Sequence, residues 1–160
     1  MAQDSNVNIA MLSRVLIPQL FEYAGCVFAR YVASDRLYRE FKRKAQRSMK
    51  WEPDRTGVEA FENHFHTLDL FTNGHLARQT HSIFKSAESL GKAMALAWQA
   101  ELIKRYQGQR FRIYYARGDN PTVRFHRVYK KEPSWLDEKD WEEDIVAGRI
   151  LVLETPGRLA

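Results

Sequence analysis

Three groups of residues in this 160-residue chain have types and spacings that can do chemistry. The first is a run of cations. Residues 35–50 hold Arg36, Arg39, Lys42, Arg43, Lys44, Arg47 and Lys50 against only Asp35 and Glu40. On a helix, Arg36, Arg39, Arg43, Arg47 and Lys50 fall within an arc of about 80°. They span about 21 Å at the helical rise. Such a stripe can follow a phosphate backbone and gives salt-sensitive, sequence-tolerant binding. An acidic protein surface can use the same residues, and so can plain solvation of a helix face.

The second group sits near the end of the chain. Phe111, Ile113 and Tyr115 alternate with Arg112 and Tyr114, and Val123 and Phe125 alternate with Arg124 and His126. Arg117-Gly118-Asp119-Asn120-Pro121 between them is a turn composition, so the two runs form a β-hairpin. A five-residue turn pairs Ala116 with Thr122, Tyr114 with Arg124 and Arg112 with His126. Arg110, Arg112, Tyr114, Arg124 and His126 then share one face. Cations beside an aromatic ring can stack on and clamp a single nucleic-acid strand. The alternative is a solvent face of packed Arg and Tyr.

The third group is Glu62, His66 and Asp69. At i, i+4 and i+7 they occupy an arc of about 60° on a helix. With a further ligand from a facing helix, such as His75 or His81, they can hold a divalent metal. A metal-dependent hydrolase using metal-bound water is the reaction this trio supports. The bland reading is an exposed Glu–His pair beside an apolar stripe.

Other chemistry finds no residues to carry it. There is no HExxH, CxxC or GxSxG motif, and the eight glycines are scattered without forming a phosphate loop. The single cysteine, Cys26, lies in an apolar stretch, as a small core hydrophobe would. With no internal disulfide to form, the chain reads as cytoplasmic. Arg14, Pro18, Glu22 and Arg30 interrupt the N-terminal apolar stretch too often for a membrane span. Asp4 and the absence of a basic leader speak against a signal peptide.

The elements that must position these groups follow from periodicity. Ile9, Leu12, Leu16, Leu20, Tyr23, Val27 and Tyr31 predict an amphipathic helix, kinked near Pro18. Asp35 caps the basic helix, which runs to about Trp51. Thr56-Gly57-Val58-Glu59 reads as a capping box for a third helix carrying Val58, Phe61, Phe65 and Leu68, with Asn73-Gly74 as its stop. A fourth helix begins between Thr80 and Ser86 and ends near Tyr106. After the hairpin, Ser134 to about Ala147 predicts a short acidic helix, docked through Trp135 and Trp141. Ile150–Leu153 is a buried strand.

Hydrophobic content of 44% and aromatic content of 12% are enough to build a core. The expected fold is therefore a single α+β domain over residues 1–160. An N-terminal bundle of about four helices (residues 5–107) packs with a small C-terminal β-β-α-β mixed sheet (residues 109–155), its last strand parallel to the second hairpin strand.

Residues 132–144 hold seven acidic side chains against Lys139, so the acidic helix is a ready partner for the basic one. The function expected from this distribution is binding. Arg36, Arg39, Arg43, Arg47 and Lys50, with Arg112, Tyr114 and Arg124 as a second patch, contact an acidic protein or nucleic acid, with no cofactor and no membrane. The alternatives are the metal-dependent hydrolase, with a divalent metal on Glu62, His66 and Asp69, and a structural homo-oligomer built on the N-terminal apolar helix.

Overall fold

The computed structural model describes residues 6–31, 39, 40, 43, 46, 47 and 54–157. Its N-terminal stretch is not one kinked helix. Helix α1 covers only Ile9–Leu16, capped by Asn8, whose Oδ1 accepts the Met11 N–H at 3.0 Å. Pro18 then ends helical hydrogen bonding, and the chain turns back as an antiparallel hairpin, β1 (Gln19–Tyr23) and β2 (Cys26–Arg30). Ala24 (φ 49°) and Gly25 (φ 79°) are both left-handed, as a two-residue hairpin turn of the right twist requires. Cys26 to Ala29 are all buried, so this strand has no polar face to betray a period of two.

Helix α2 (Arg55–Glu62) starts two residues earlier than a Thr56 capping box would place it. Asp54 is the cap, accepting the Gly57 N–H, while the Thr56 N–H donates to Glu132 Oε2 at 2.8 Å. Glu59 is thus free of capping duty and turns inward. The helix stops at Glu62, well short of Leu68. A two-residue strand, β3 (Phe65–His66), and 3₁₀ turns at Thr67–Leu70 and Gly74–Leu76 follow. Asn73, left-handed at φ 61°, opens the second turn and does not end a helix.

Helix α3 (Ser82–Arg105) agrees with its expected bounds. It lays Met94, Ala95, Trp98 and Leu102 on one face of a sheet, against Ile113, Tyr115, Val123 and Phe125, all essentially inaccessible. Burying these side chains contributes roughly 1.5–3 kcal/mol each. The Trp98 indole N–H donates to the Val15 carbonyl at 2.6 Å, which ties α1 to the same core. Gly91 permits the close approach of α3 to the sheet, because a Cβ there would lie 2.8 Å from Tyr115 Cε2.

Strands β4 (Phe111–Ala116) and β5 (Thr122–Arg127) pair in the expected register, with Ala116 opposite Thr122 and Tyr114 opposite Arg124. The last strand, β6 (Ile150–Glu154), does not lie beside β5. It pairs antiparallel with β4, giving the order β3-β5-β4-β6 with every neighbouring pair antiparallel. The outer edge of β5 is taken by β3 at Val123 and by α2 side chains further along, so the free edge of β4 receives β6. Helix α4 is only Glu142–Val146. The residues before it run as bends and turns, with the Asp140 N–H donating to the Asp137 carbonyl and the Trp141 N–H to the Glu138 carbonyl, and the Asp137 side chain accepts the Lys139 N–H at 3.1 Å.

The fold is therefore α+β with two antiparallel sheets. An N-terminal helical bundle beside one mixed sheet is not what the chain builds, because half of the expected first helix is the β1–β2 hairpin. Among the described residues no helix is long and apolar enough to cross a membrane.

Candidate functional site

The hairpin register places Arg112, Tyr114, Arg124 and His126 on the sheet face away from α3. That face is covered by the chain's own acidic stretch. Arg112 Nη1 donates to Ser134 Oγ at 3.0 Å and to Glu138 Oε1 at 2.6 Å, and its Nε donates to Glu154 Oε2 at 3.3 Å. The Trp135 backbone N–H donates to His126 Nε2 at 3.4 Å, and the Tyr114 hydroxyl lies 3.2 Å from the same nitrogen. His126 Nδ1 is 2.8 Å from the Arg127 carbonyl, so the ring is neutral with its proton on Nδ1. Burial holds this imidazole below the ordinary histidine range. The acidic partners of Arg112 are thus internal, and the segment that supplies Glu138 is mostly irregular chain.

Beyond this cover lies a cleft of about 520 Å³. Tyr114, Arg117 and Arg124 of the hairpin and Trp135, Trp141 and Arg149 of the 133–149 segment line it. Trp135 is 43% exposed and Trp141 47%, so each indole only partly docks the segment to the body. Arg149 pairs with Asp144, and Arg117 Nε lies 2.8 Å from Glu88 Oε1. The Arg124 guanidinium sits 5.0 Å from the centre of the Trp135 ring and makes no ion pair among the described residues. Burial lowers its proton affinity.

Of the basic stripe, Arg39, Arg43 and Arg47 are helical and exposed, while Arg36 and Lys50 lie outside the described residues. Gln46 donates to the Tyr23 hydroxyl, which connects this helix to the β1–β2 hairpin. Arg39, Arg43 and Arg47 make no ion pair among the described residues.

The Glu62, His66 and Asp69 trio does not share a helix face. Glu62 is buried on α2, His66 is half-buried on β3, and Asp69 is exposed on a 3₁₀ turn. His66 Nδ1 is 2.8 Å from Thr122 Oγ1, and its proton affinity is lowered by burial and by His64 and Arg124 nearby, against the pull of Asp69. Among the described residues no three His, Cys, Asp or Glu side chains stand close enough to hold a metal ion.

One polar cluster was not legible in the sequence. Glu59 on α2 and Asn63, the residue that caps its C-terminus, lie one turn apart and project between β2 and β5. Glu59 Oε1 accepts the Val27 N–H at 2.5 Å and the Tyr129 hydroxyl at 2.8 Å, and Oε2 accepts the Arg127 N–H. Asn63 Oδ1 accepts the Ala29 N–H at 2.9 Å, and its amide donates to the Val27 carbonyl at 2.8 Å and the Phe125 carbonyl at 3.4 Å. Two side chains thus do the work of a missing strand, satisfying backbone groups that burial would otherwise orphan. Burial raises Glu59 to about 7, against the downward pull of its three hydrogen bonds. Cys26 is pushed up to about 11, first by burial and then by Glu59. Because Glu59 is fully inaccessible, it has no route to a substrate and serves as a joint between sheets. The available signal was the i, i+4 spacing of two polar residues beside Val58 and Ala60. Phe61, assigned to the core stripe in their place, is 51% exposed.

The fold and the cleft together define an α+β protein with an open cleft beside the β4–β5 hairpin. The chain belongs to the family described as "Uncharacterized protein PM0498 family", whose profile matches residues 2–157. No curated protein and no solved structure matches it.

Proposed function

We propose that this protein is a small cytoplasmic binding protein whose Arg39, Arg43 and Arg47 contact an acidic macromolecule. The observation that carries this reading is where the acidic stretch goes. Glu132 is bound to Arg55, Glu138 to Arg112 and Asp144 to Arg149, so these acids have partners other than the stripe. Three exposed arginines at i, i+4 and i+8 on one helix face are left for an external partner. They span about 12 Å, enough to meet several phosphates or carboxylates at once. The lone, buried Cys26 accords with a reducing compartment.

The test is fluorescence anisotropy with labelled single- and double-stranded DNA and RNA, and with polyglutamate, at low and near-physiological salt. Binding should weaken with salt, with a slope of roughly −0.7 to −0.9 per phosphate contact for nucleic acid. The triple reversal Arg39→Glu, Arg43→Glu, Arg47→Glu should abolish it and leave the thermal unfolding midpoint within a few degrees of the parent. Binding that survives the reversal, or no binding of any polyanion at low salt, would sink the reading.

A further inference from the structure

We propose that the cleft between the β4–β5 hairpin and the 133–149 segment binds a small planar anion, an aromatic ring carrying one carboxylate or phosphate. Arg124 takes the anionic group, and Trp135 and Trp141 take the ring. The other arginines on the cleft, Arg117 and Arg149, and Arg112 on the same sheet face provide the comparison. Arg112 is bound to Glu138 and Glu154, Arg117 stands against Glu88, and Arg149 against Asp144. Arg124 lines the same cleft as Arg117 and Arg149 and makes no ion pair among the described residues. It is partly buried, with a Trp ring on one side. A desolvated cation without a counter-charge is costly, and a ring face compensates it only in part. An arginine kept for structure alone would be expected to share an acid, as its three neighbours do.

The rest of the cleft fits a ligand of this kind. Its volume of about 520 Å³ lies within the usual range for small-molecule sites. Trp135 is fixed at its backbone by His126, so the ring platform is held in place while much of its surface stays exposed. The guanidinium fork matches a carboxylate or phosphate in a bidentate manner. Asp119 on the hairpin turn also lines the cleft, exposed and without an ion pair among the described residues. It repels an extended polyanion and leaves a compact ligand with a single anionic group. The site is separate from the Arg39–Arg47 stripe and does not depend on it.

The test uses the full chain and two probes, indole-3-acetate and phenyl phosphate, with indole-3-acetamide and acetate as controls. Titration calorimetry should give saturable binding of one or both aromatic anions, and the tighter of the two identifies the head group. Each control should bind at least tenfold more weakly. In a ¹H–¹⁵N spectrum the indole N–H signals of Trp135 and Trp141 should shift on titration while that of buried Trp98 stays put. Arg124→Gln should weaken the aromatic anion at least tenfold without changing binding of the neutral amide. The stripe reversal should leave the affinity unchanged. The proposal is overturned if neither aromatic anion saturates at millimolar concentration, if acetate binds as well as the rings, or if the shifts fall outside Trp135 and Trp141. The spectral readout uses the parent protein, so it holds even if Arg124→Gln folds poorly.

Discussion

Replacing Glu59 by glutamine removes the fully buried carboxylate that joins β2 to β5, and the consequence depends on pH. Burial raises the Glu59 carboxyl from 4.5 to about 7. Below about pH 4.5 it is protonated in both the native and the unfolded chain and costs nothing in charge. Between 4.5 and about 7 the unfolded chain releases the proton and the native protein keeps it, so stability falls as pH rises. Above about 7 both states are ionised and the full cost remains. At about 1.4 kcal/mol per pH unit of separation, that cost is about 3 kcal/mol. The sign is opposite to that of a carboxylate held in a salt bridge.

Hydrogen bonding decides what glutamine retains. Protonated Glu59 can donate from Oε1 to the Tyr129 hydroxyl, which then turns its own proton to the Gly25 carbonyl at 3.0 Å. Its other oxygen still accepts from Arg127. Glutamine has one oxygen, so whichever way the amide lies, its NH₂ faces either the Val27 or the Arg127 N–H. That mismatch costs about 1–3 kcal/mol at every pH. Glu59→Gln should therefore be less stable than the parent near pH 5. The gap should close or reverse by pH 8. Urea unfolding of both proteins at half-unit pH steps, at fixed ionic strength, gives the difference directly. The other titrating groups largely cancel in it. A gap that stays flat within about 0.5 kcal/mol from pH 4.5 to 8, or one that widens with pH, would refute the buried-proton account.

Two further substitutions probe the packing that positions the site. Asn63→Leu leaves the Ala29 N–H and the Val27 carbonyl without partners, and should cost about 3 kcal/mol. Hydrogen exchange should show β2 amides opening faster while those of β4 keep their protection. Gly91→Ala puts a methyl 2.8 Å from Tyr115 Cε2 and 3.3 Å from Thr67 Cγ2. It should lower stability by about 1–3 kcal/mol in the same urea assay, and no change would mean that the α3–β4 spacing is looser than described.

What could be read from sequence was decided by length and by punctuation. Helix α3 carries an uninterrupted stripe over 24 residues and stops before Gly108, which is left-handed at φ 76°. The β4–β5 turn is written in Gly, Asp, Asn and Pro, and so its register could be counted to the residue. The β1–β2 hairpin offered neither kind of signal. Its turn is Ala-Gly, and Ala24 accepts a left-handed conformation that alanine seldom adopts. Its second strand is buried on both faces, and a short apolar run of that kind has no period to separate strand from helix. Glu59 misled for a related reason. Three residues after a threonine it reads as a capping partner, but Asp54 holds the cap and leaves Glu59 to the interior.

The two charge runs show why composition alone misplaces partners. An acidic run and a basic run of similar size invite pairing, yet partners are chosen by where the backbone brings each side chain. Arg112 is fixed by the hairpin register opposite His126 and, across the other edge, opposite Glu154. From that position it binds Ser134 and Glu138 of the acidic stretch and Glu154 of β6 together. One guanidinium thus couples the cover over the hairpin to the strand that β4 recruits. Arg124 stands two rungs of the ladder away on the same face, where the cover offers it a tryptophan ring in place of a carboxylate. The difference between these two arginines is set by tertiary placement alone, and it separates a cation spent on the fold from one left available to a ligand.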